Sequence, residues 1–155
     1  MICMPELVRK MLAEGKVGVY ETLSAGISMF PTIWPHSILR AVKFPLEEIG
    51  KGDIIIFQRD NKMVAHRVVE VGQGFVRTQG DSCRVKDEVV DSTNYLCKVV
   101  EYVLFKKFTI NEKSLYWKVQ RWLFANFFLM HVLNFHFTKV VVKVALFMGI
   151  RYPKE

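Results

Sequence analysis

Cysteine is scarce in this chain of 155 residues, which carries Cys3, Cys83 and Cys97 and no others. That is too few and too scattered for a disulfide scaffold, and no two are spaced as metal ligands. Acidic residues almost vanish from the last quarter. From Lys113 to Glu155 there are 7 Lys/Arg and a single acid, whereas Met1 to Glu112 holds 15 Lys/Arg and 14 Asp/Glu. The net charge of +7 therefore belongs mostly to the tail. Such an asymmetry points to an anionic contact such as a membrane surface, and away from a uniformly basic nucleic-acid binder. The start lacks the apolar run of a secretory signal peptide, carrying Glu6, Arg9, Lys10 and Glu14 instead. No transmembrane helix is expected ahead of the body. A Gly-rich phosphate loop, an internal repeat and a low-complexity tract are also missing, and no cofactor is expected.

What remains is a globular composition, 51% apolar and 24% charged. Residues from about Pro5 to Glu14 read as a short amphipathic helix ended by Gly15. Six short β-like stretches follow: Val17–Ser24, Ile38–Phe44, Asp53–Gln58, Met63–Val71, Gly74–Thr78 and Cys97–Phe105. Turn signals separate them, including a hairpin turn around Arg59–Lys62. No helix of normal length fits between Val17 and Phe105. The expectation is a mainly β, antiparallel, barrel-like or folded body over 17–112, with 1–16 as the N-terminal helix and 113–155 as a basic, apolar helical segment. Of the 29 residues from Trp122 to Ile150, 21 are apolar and none is acidic. The pattern divides into runs at Trp117–Leu133 and Lys139–Ile150, neither reaching the ~20 residues that span a bilayer. Two readings stand: a helical pair packed on the β body, or an interfacial, partly inserted hairpin.

Three segments carry chemistry. In Gly26-Ile-Ser28-Met29-Phe-Pro31-Thr32 a serine sits in a proline-constrained turn after a strand, where its own N–H is available to an oxyanion. In Val64-Ala-His66-Arg67-Val68 a histidine and an arginine interrupt an apolar strand, a suitable place for a base. In Thr78-Gln-Gly80-Asp81-Ser-Cys-Arg-Val-Lys-Asp87 a Gly-Asp turn is followed by a second acid. Each alone also fits a bland role, as a turn serine, a surface histidine or a solvated loop. Lys62 and Lys86 are weaker candidate bases. His36, His131 and His136 have no partners at ligand spacing.

Taken together, these boxes resemble those of the type I signal peptidases and the wider clan they share with LexA-like self-cleaving repressors. Gly26-x-Ser28-Met29-x-Pro31-Thr32 is similar to the clan's nucleophile box, Gly52-Asp-Ile-Ile-Ile-Phe57 to its "G-D-(apolar)₃-F" strand, and Val64–Val68 to its base-bearing strand. Gly80-Asp81 is similar to the start of its acidic loop. Histidine at the base position is the pattern of the archaeal and endoplasmic-reticulum branch; the bacterial branch has lysine there. The resemblance implies a coiled antiparallel β body, Ser28 as nucleophile, His66 as general base and Asp87 as the orienting carboxylate. Asp81 has a structural or catalytic part in the Gly-Asp turn. Gly26 stands where many signal peptidases place Ser, so the oxyanion would rest on backbone N–H groups.

The implied activity is a serine endopeptidase that cleaves a precursor or leader peptide after small residues such as Ala. The rival expectation is a LexA-like or non-catalytic peptide-binding module. For the tail, a membrane setting places Trp117, Trp122, Phe124, Phe127 and Phe128 at the headgroups, with Lys118 and Arg121 facing anionic lipid. A soluble cytoplasmic processing peptidase is the alternative.

Overall fold

The structure, a computed structural model, describes residues 18–148 together with residues 8, 10, 11 and 14. The helix expected over 5–14 therefore falls largely outside the described residues, although Val8 is buried in the core. The body is mainly β, one sheet of eight strands. These are β1 (Tyr20–Leu23), β2 (Ile38–Val42), β3 (Ile54–Arg59), β4 (Lys62–Gly72), β5 (Phe75–Gln79), β6 (Val89–Asp91), β7 (Tyr95–Leu104) and β8 (Phe108–Asn111). Every pairing is antiparallel, in the order β1-β2-β7-β3-β4-β5-β6 with β8 beside β7. Two helices follow, α1 (Leu115–Asn126) and α2 (Phe128–Phe147).

The continuous apolar run Ile54-Ile-Ile-Phe57 is explained by burial on both sheet faces. Side chains alternate along a strand, so Ile54 and Ile56 join one cluster with Leu39, Val99 and Tyr102, while Ile55 and Phe57 join another with Val68, Val76 and Tyr95. The expected hairpin is present, with Arg59 opposite Lys62 and Asp60 in the left-handed region at φ 54°. Two strands escaped the sequence pattern. β6 has three residues and lies in a polar stretch. β8 returns onto β7 through Phe105 and Lys106, both at positive φ, a turn not signalled by the usual Gly or Asn.

The helical boundary also differs from the expected one. The chain breaks at Phe127, which is extended at φ −121° and ψ 100°, and not among the polar residues after Leu133. His131, Asn134, His136 and Thr138 lie inside one uninterrupted helix of 20 residues. Leu129–Phe147 is consequently long and apolar enough to cross a membrane by length and composition, which the split runs were not. α1 is capped by Ser114, whose hydroxyl accepts from Trp117 N–H. Two side chains expected at a lipid surface face inward instead. Trp117 stacks on Tyr102 with centroids 5.2 Å apart, and Phe124 is also buried. Arg121 is likewise turned to the body, with Nη2 3.2 Å from the buried Asp53 carboxylate and its Nε donating to Lys51 O. Only Gly fits at position 52, where φ is +90° and a Cβ would meet Arg121 Cγ at 2.4 Å.

Trp117 and Trp122 should therefore behave oppositely. Trp117 is 2% exposed and Trp122 is 58% exposed. Trp117→Ala is expected to cost about 3–5 kcal/mol, the range for emptying a buried aromatic site. Trp122→Ala is expected to stay within about 0.5 kcal/mol of the parent, as exposed positions do. Urea denaturation of both variants checks this.

Candidate active site

The strand alternation that buries β3 on both sides also divides β4. His66 and Arg67 are successive residues, so their side chains leave opposite faces of the strand. Both are buried, at 3% and 1% exposure. A buried polar side chain must find partners, and each finds a different acid in the segment after β5.

His66 meets Asp87. Its Nδ1 lies 2.6 Å from Asp87 Oδ2, which also accepts from Thr78 Oγ1 at 2.7 Å. Arg59 Nη1 donates to Asp87 Oδ1 at 3.0 Å. The backbone holds the acid in place, since Asp87 N–H donates to Thr78 O at 2.8 Å. Burial pushes the Asp87 carboxyl upward. The hydrogen bonds and charges of His66, Thr78 and Arg59 outweigh burial and hold the carboxyl below the usual carboxylate range. Asp87 therefore stays ionised where a histidine works. Its stabilising contribution is complete above an ordinary carboxylate pKa of ~3.9 and is lost as the pH falls through the lower folded value.

Arg67 meets Asp81. Its Nε and Nη2 donate to Asp81 Oδ1 and Oδ2 at 2.8 and 2.7 Å, and its Nη1 donates to Gly52 O at 3.1 Å. Thr32 Oγ1, from the serine turn, donates to the same Asp81 carboxylate. Asp81 is 0% exposed. Of the two acids, Asp87 contacts the imidazole and Asp81 makes no hydrogen bond to it. The arrangement favours the structural member of the two roles open to Asp81.

Ser28 is presented by the turn between β1 and β2, closed by Phe30 N–H to Ile27 O and Ile33 N–H to Met29 O. The segment around Gly80 is fastened to this turn. Ser82 N–H donates to Ser28 O at 2.8 Å, and Ser82 Oγ donates to Ile27 O at 2.6 Å. The packing is tight enough that a Cβ at Gly80 would lie 2.7 Å from Ser28 O and 3.1 Å from His66 Nε2. Ser28 and His66 line one cavity of about 520 Å³. His66 Nε2 is buried without a hydrogen-bond partner. Among the described residues, none hydrogen-bonds to the Ser28 hydroxyl or N–H. The residues that carry the hydroxyl and the unpartnered, buried imidazole nitrogen thus line the same cavity.

The two lysines weighed as bases are placed otherwise. Lys62 lies on the cavity rim, and Lys86 pairs with Glu70 at 3.1 Å on the surface. Among the described residues, no three His, Cys, Asp or Glu side chains converge as a metal would need. Residues missed from sequence are Thr32, Arg59, Thr78 and Ser82, along with His131 and Asn134 of α2. An arginine inside an apolar strand was the one usable signal, because it demands a buried acid. No family model, curated protein or solved structure matches this chain.

Removing Asp81 leaves Arg67 as a buried, unpaired cation. Asp81→Asn is expected to cost about 3–5 kcal/mol in unfolding free energy, read by urea denaturation at neutral pH. A loss below about 1 kcal/mol would mean that water reaches the guanidinium.

Proposed function

We propose that this chain is a serine endopeptidase of the signal-peptidase type, cleaving an extended precursor or leader peptide after small residues. The observation that carries this reading is the 2.6 Å contact of His66 Nδ1 with Asp87, which leaves Nε2 buried and unpartnered on a residue that lines the same cavity as Ser28. Asp87 fixes the tautomer with the proton on Nδ1, so Nε2 is the basic nitrogen. In the proposed cycle Nε2 takes the Ser28 hydroxyl proton as Oγ attacks the scissile carbonyl. The imidazolium then gives that proton to the leaving amine, and a water repeats the sequence on the acyl-enzyme. The free Ser28 N–H is one donor to the oxyanion.

The strands around the cavity suit an extended substrate. β1 is an edge of the sheet, and β4 pairs with β5 only from Arg67 onward, leaving the edge at Lys62–Ala65 open. Thr22–Ser24 and Lys62–His66 both line the cavity. A peptide entering there can use main-chain hydrogen bonds for alignment. Met29, Leu39, Ile56 and Met63 then supply an apolar lining for alternate side chains.

For a precursor with Ala one and three positions before the cut, Ser28→Ala and His66→Ala are each expected to lose on the order of 10⁶ in turnover. Asp87→Asn should cost ~10⁴ through loss of the tautomer. Chromatography of the products measures this. Wild-type rates in purified Ser28→Ala protein would reject the assignment and favour a non-catalytic peptide-binding module.

Membrane association belongs to the same proposal and is supported by the way α2 is turned. His131, Asn134, Thr138 and Ala145 are buried against the body, while Leu129, Leu133, Phe137, Val140, Val144 and Phe147 are each at least half exposed. At 100° per residue the stripe starting at 129 lies opposite the one starting at 131. An ordinary surface helix buries its apolar stripe and wets its polar one; α2 does the reverse. Because its inner stripe is occupied along most of its length, the helix suits an interfacial position better than a crossing one. Exposed Lys118, Lys139 and Lys143 supply charge for anionic headgroups, each contributing about 1 kcal/mol near such a surface. The full chain is expected to sediment with phosphatidylglycerol-containing vesicles, and a Val140→Glu/Val144→Glu variant to remain in the supernatant. Wild-type protein left in the supernatant at low and high salt would reduce α2 to a helical cap.

A further inference from the structure

Helix α2 makes its hydrogen bonds to the candidate site through backbone carbonyls. Asn134 Nδ2 donates to Asp81 O at 2.9 Å and, in a shorter contact, to Phe30 O. His131 Nδ1 faces Gly80 O at 3.1 Å, and its Nε2 faces Phe124 O at 2.8 Å. Phe137 stacks on Phe30 with centroids 6.1 Å apart. Phe30 belongs to the turn that presents Ser28. Gly80 and Asp81 open the segment that ends at Asp87, and Gly80 is wedged between Ser28 O and His66 Nε2. A helix needing only burial at positions 131 and 134 would be served by leucine. Polar side chains here, at 1% and 9% exposure, are costly to bury unless their bonds are made. Asn134 is the more informative of the two, because one amide group bridges the two segments whose spacing sets where Ser28 lies relative to His66.

We propose that Asn134, assisted by His131, is a positioning residue: α2 fixes the serine turn and the acid segment in register by gripping Phe30 O, Asp81 O and Gly80 O. The inference rests on the peptidase reading for its kinetic consequence, but not for its structural one. Neither residue touches the reacting atoms. Their effect passes through Ser82, whose N–H bonds to Ser28 O only while the two segments keep their spacing.

The test uses full-length protein and Asn134→Leu, which keeps the approximate shape and removes both donors. Asn134→Ser, retaining one donor, serves if the leucine variant does not fold. Two quantities are read. The first is kcat against KM on the Ala-containing precursor. The second is amide hydrogen exchange of Ser82, with Ile55 in central strand β3 as the internal reference. The expected result is a fall in kcat of about 10²-fold, the scale of a ~1 Å misplacement, with KM within about twofold. Ser82 exchange should quicken by about tenfold or more while Ile55 is unchanged, the mark of a local release. A merely structural asparagine would speed both amides together and leave kcat of the folded protein intact, and that result overturns the proposal. Unchanged Ser82 exchange overturns it as well. If the wild-type chain cleaves nothing, the peptidase reading fails, and the exchange result alone decides the role of Asn134.

Discussion

A guanidinium with no route to water organises this molecule. Arg67 is 1% exposed, so its charge has to be met by protein groups, and Asp81, itself 0% exposed, meets it with two parallel hydrogen bonds. Each ion is tolerable only while the other is present. The pair also recruits neighbours. Gly52 O accepts from Arg67, Thr32 of the serine turn donates to Asp81, and the Asp81 backbone carbonyl accepts from Asn134 of α2. Four separate pieces of chain, the serine turn, the β2–β3 connection, the segment after β5 and α2, are thereby tied to β4. Once Arg67 is fixed on one face of that strand, His66 is fixed on the other. The position of the imidazole follows from an interaction in which it takes no part.

The same division explains why two acids so close in sequence serve different ends. Asp81 is committed to a permanent cation and to the Thr32 hydroxyl, and it meets Arg67, which leaves β4 on the face opposite the imidazole. Asp87 is held by Thr78, Arg59 and its own backbone, and presents one oxygen to His66 Nδ1. Its partial exposure and its depressed pKa keep it an acceptor, as an orienting carboxylate must be. A histidine suits this setting on elementary grounds. A lysine at the same place would have to be brought down from ~10.4 by desolvation, whereas an imidazole begins near ~6.5 and needs only to be held. Here the holding is visible and the desolvated pocket for an ammonium is not required.

How much of this was legible in the residues depends on whether a signal was local. Ser28, His66 and Asp87 are each ambiguous alone and are singled out by the order of the three boxes and their resemblance to one clan; the structure brings His66 and Asp87 into contact and has Ser28 and His66 line the same cavity. The strand of Ile54–Phe57 and the hairpin at Asp60 were equally readable, since apolar runs and tight turns are short-range features. What escaped was long-range or misleading. The choice between Asp81 and Asp87 turns on which face of β4 each meets, and spacing carries no such information. β8 was hidden because Phe105 and Lys106 occupy a backbone conformation usually marked by glycine or asparagine. The helical break was misplaced because polarity was taken as interruption. His131 and Asn134 are polar because of what they touch, and with Thr138 they recur at the spacing of one helix face.

The membrane reading of the tail rests on this same arrangement of polar and apolar faces. A helix with His131, Asn134 and Thr138 inward and valine, leucine and phenylalanine outward has its usual solvent preference inverted. Inward, Asn134 donates to carbonyls of the serine turn and the acid segment, and His131 faces Gly80 O. The outward apolar side chains are each at least half exposed, although Phe137 also stacks on Phe30. Water is a poor solvent for that stripe, at roughly 25 cal/mol for each Å² left uncovered, and soluble monomers seldom expose contiguous apolar patches of such length. On the proposed membrane reading, a bilayer interface would resolve both faces at once: the apolar side would enter the acyl boundary, the flanking lysines would meet headgroups, and the polar side would keep its grip on the site. On the membrane and peptidase readings together, the element that seats the protein on lipid is also the element that spaces the nucleophile from the base.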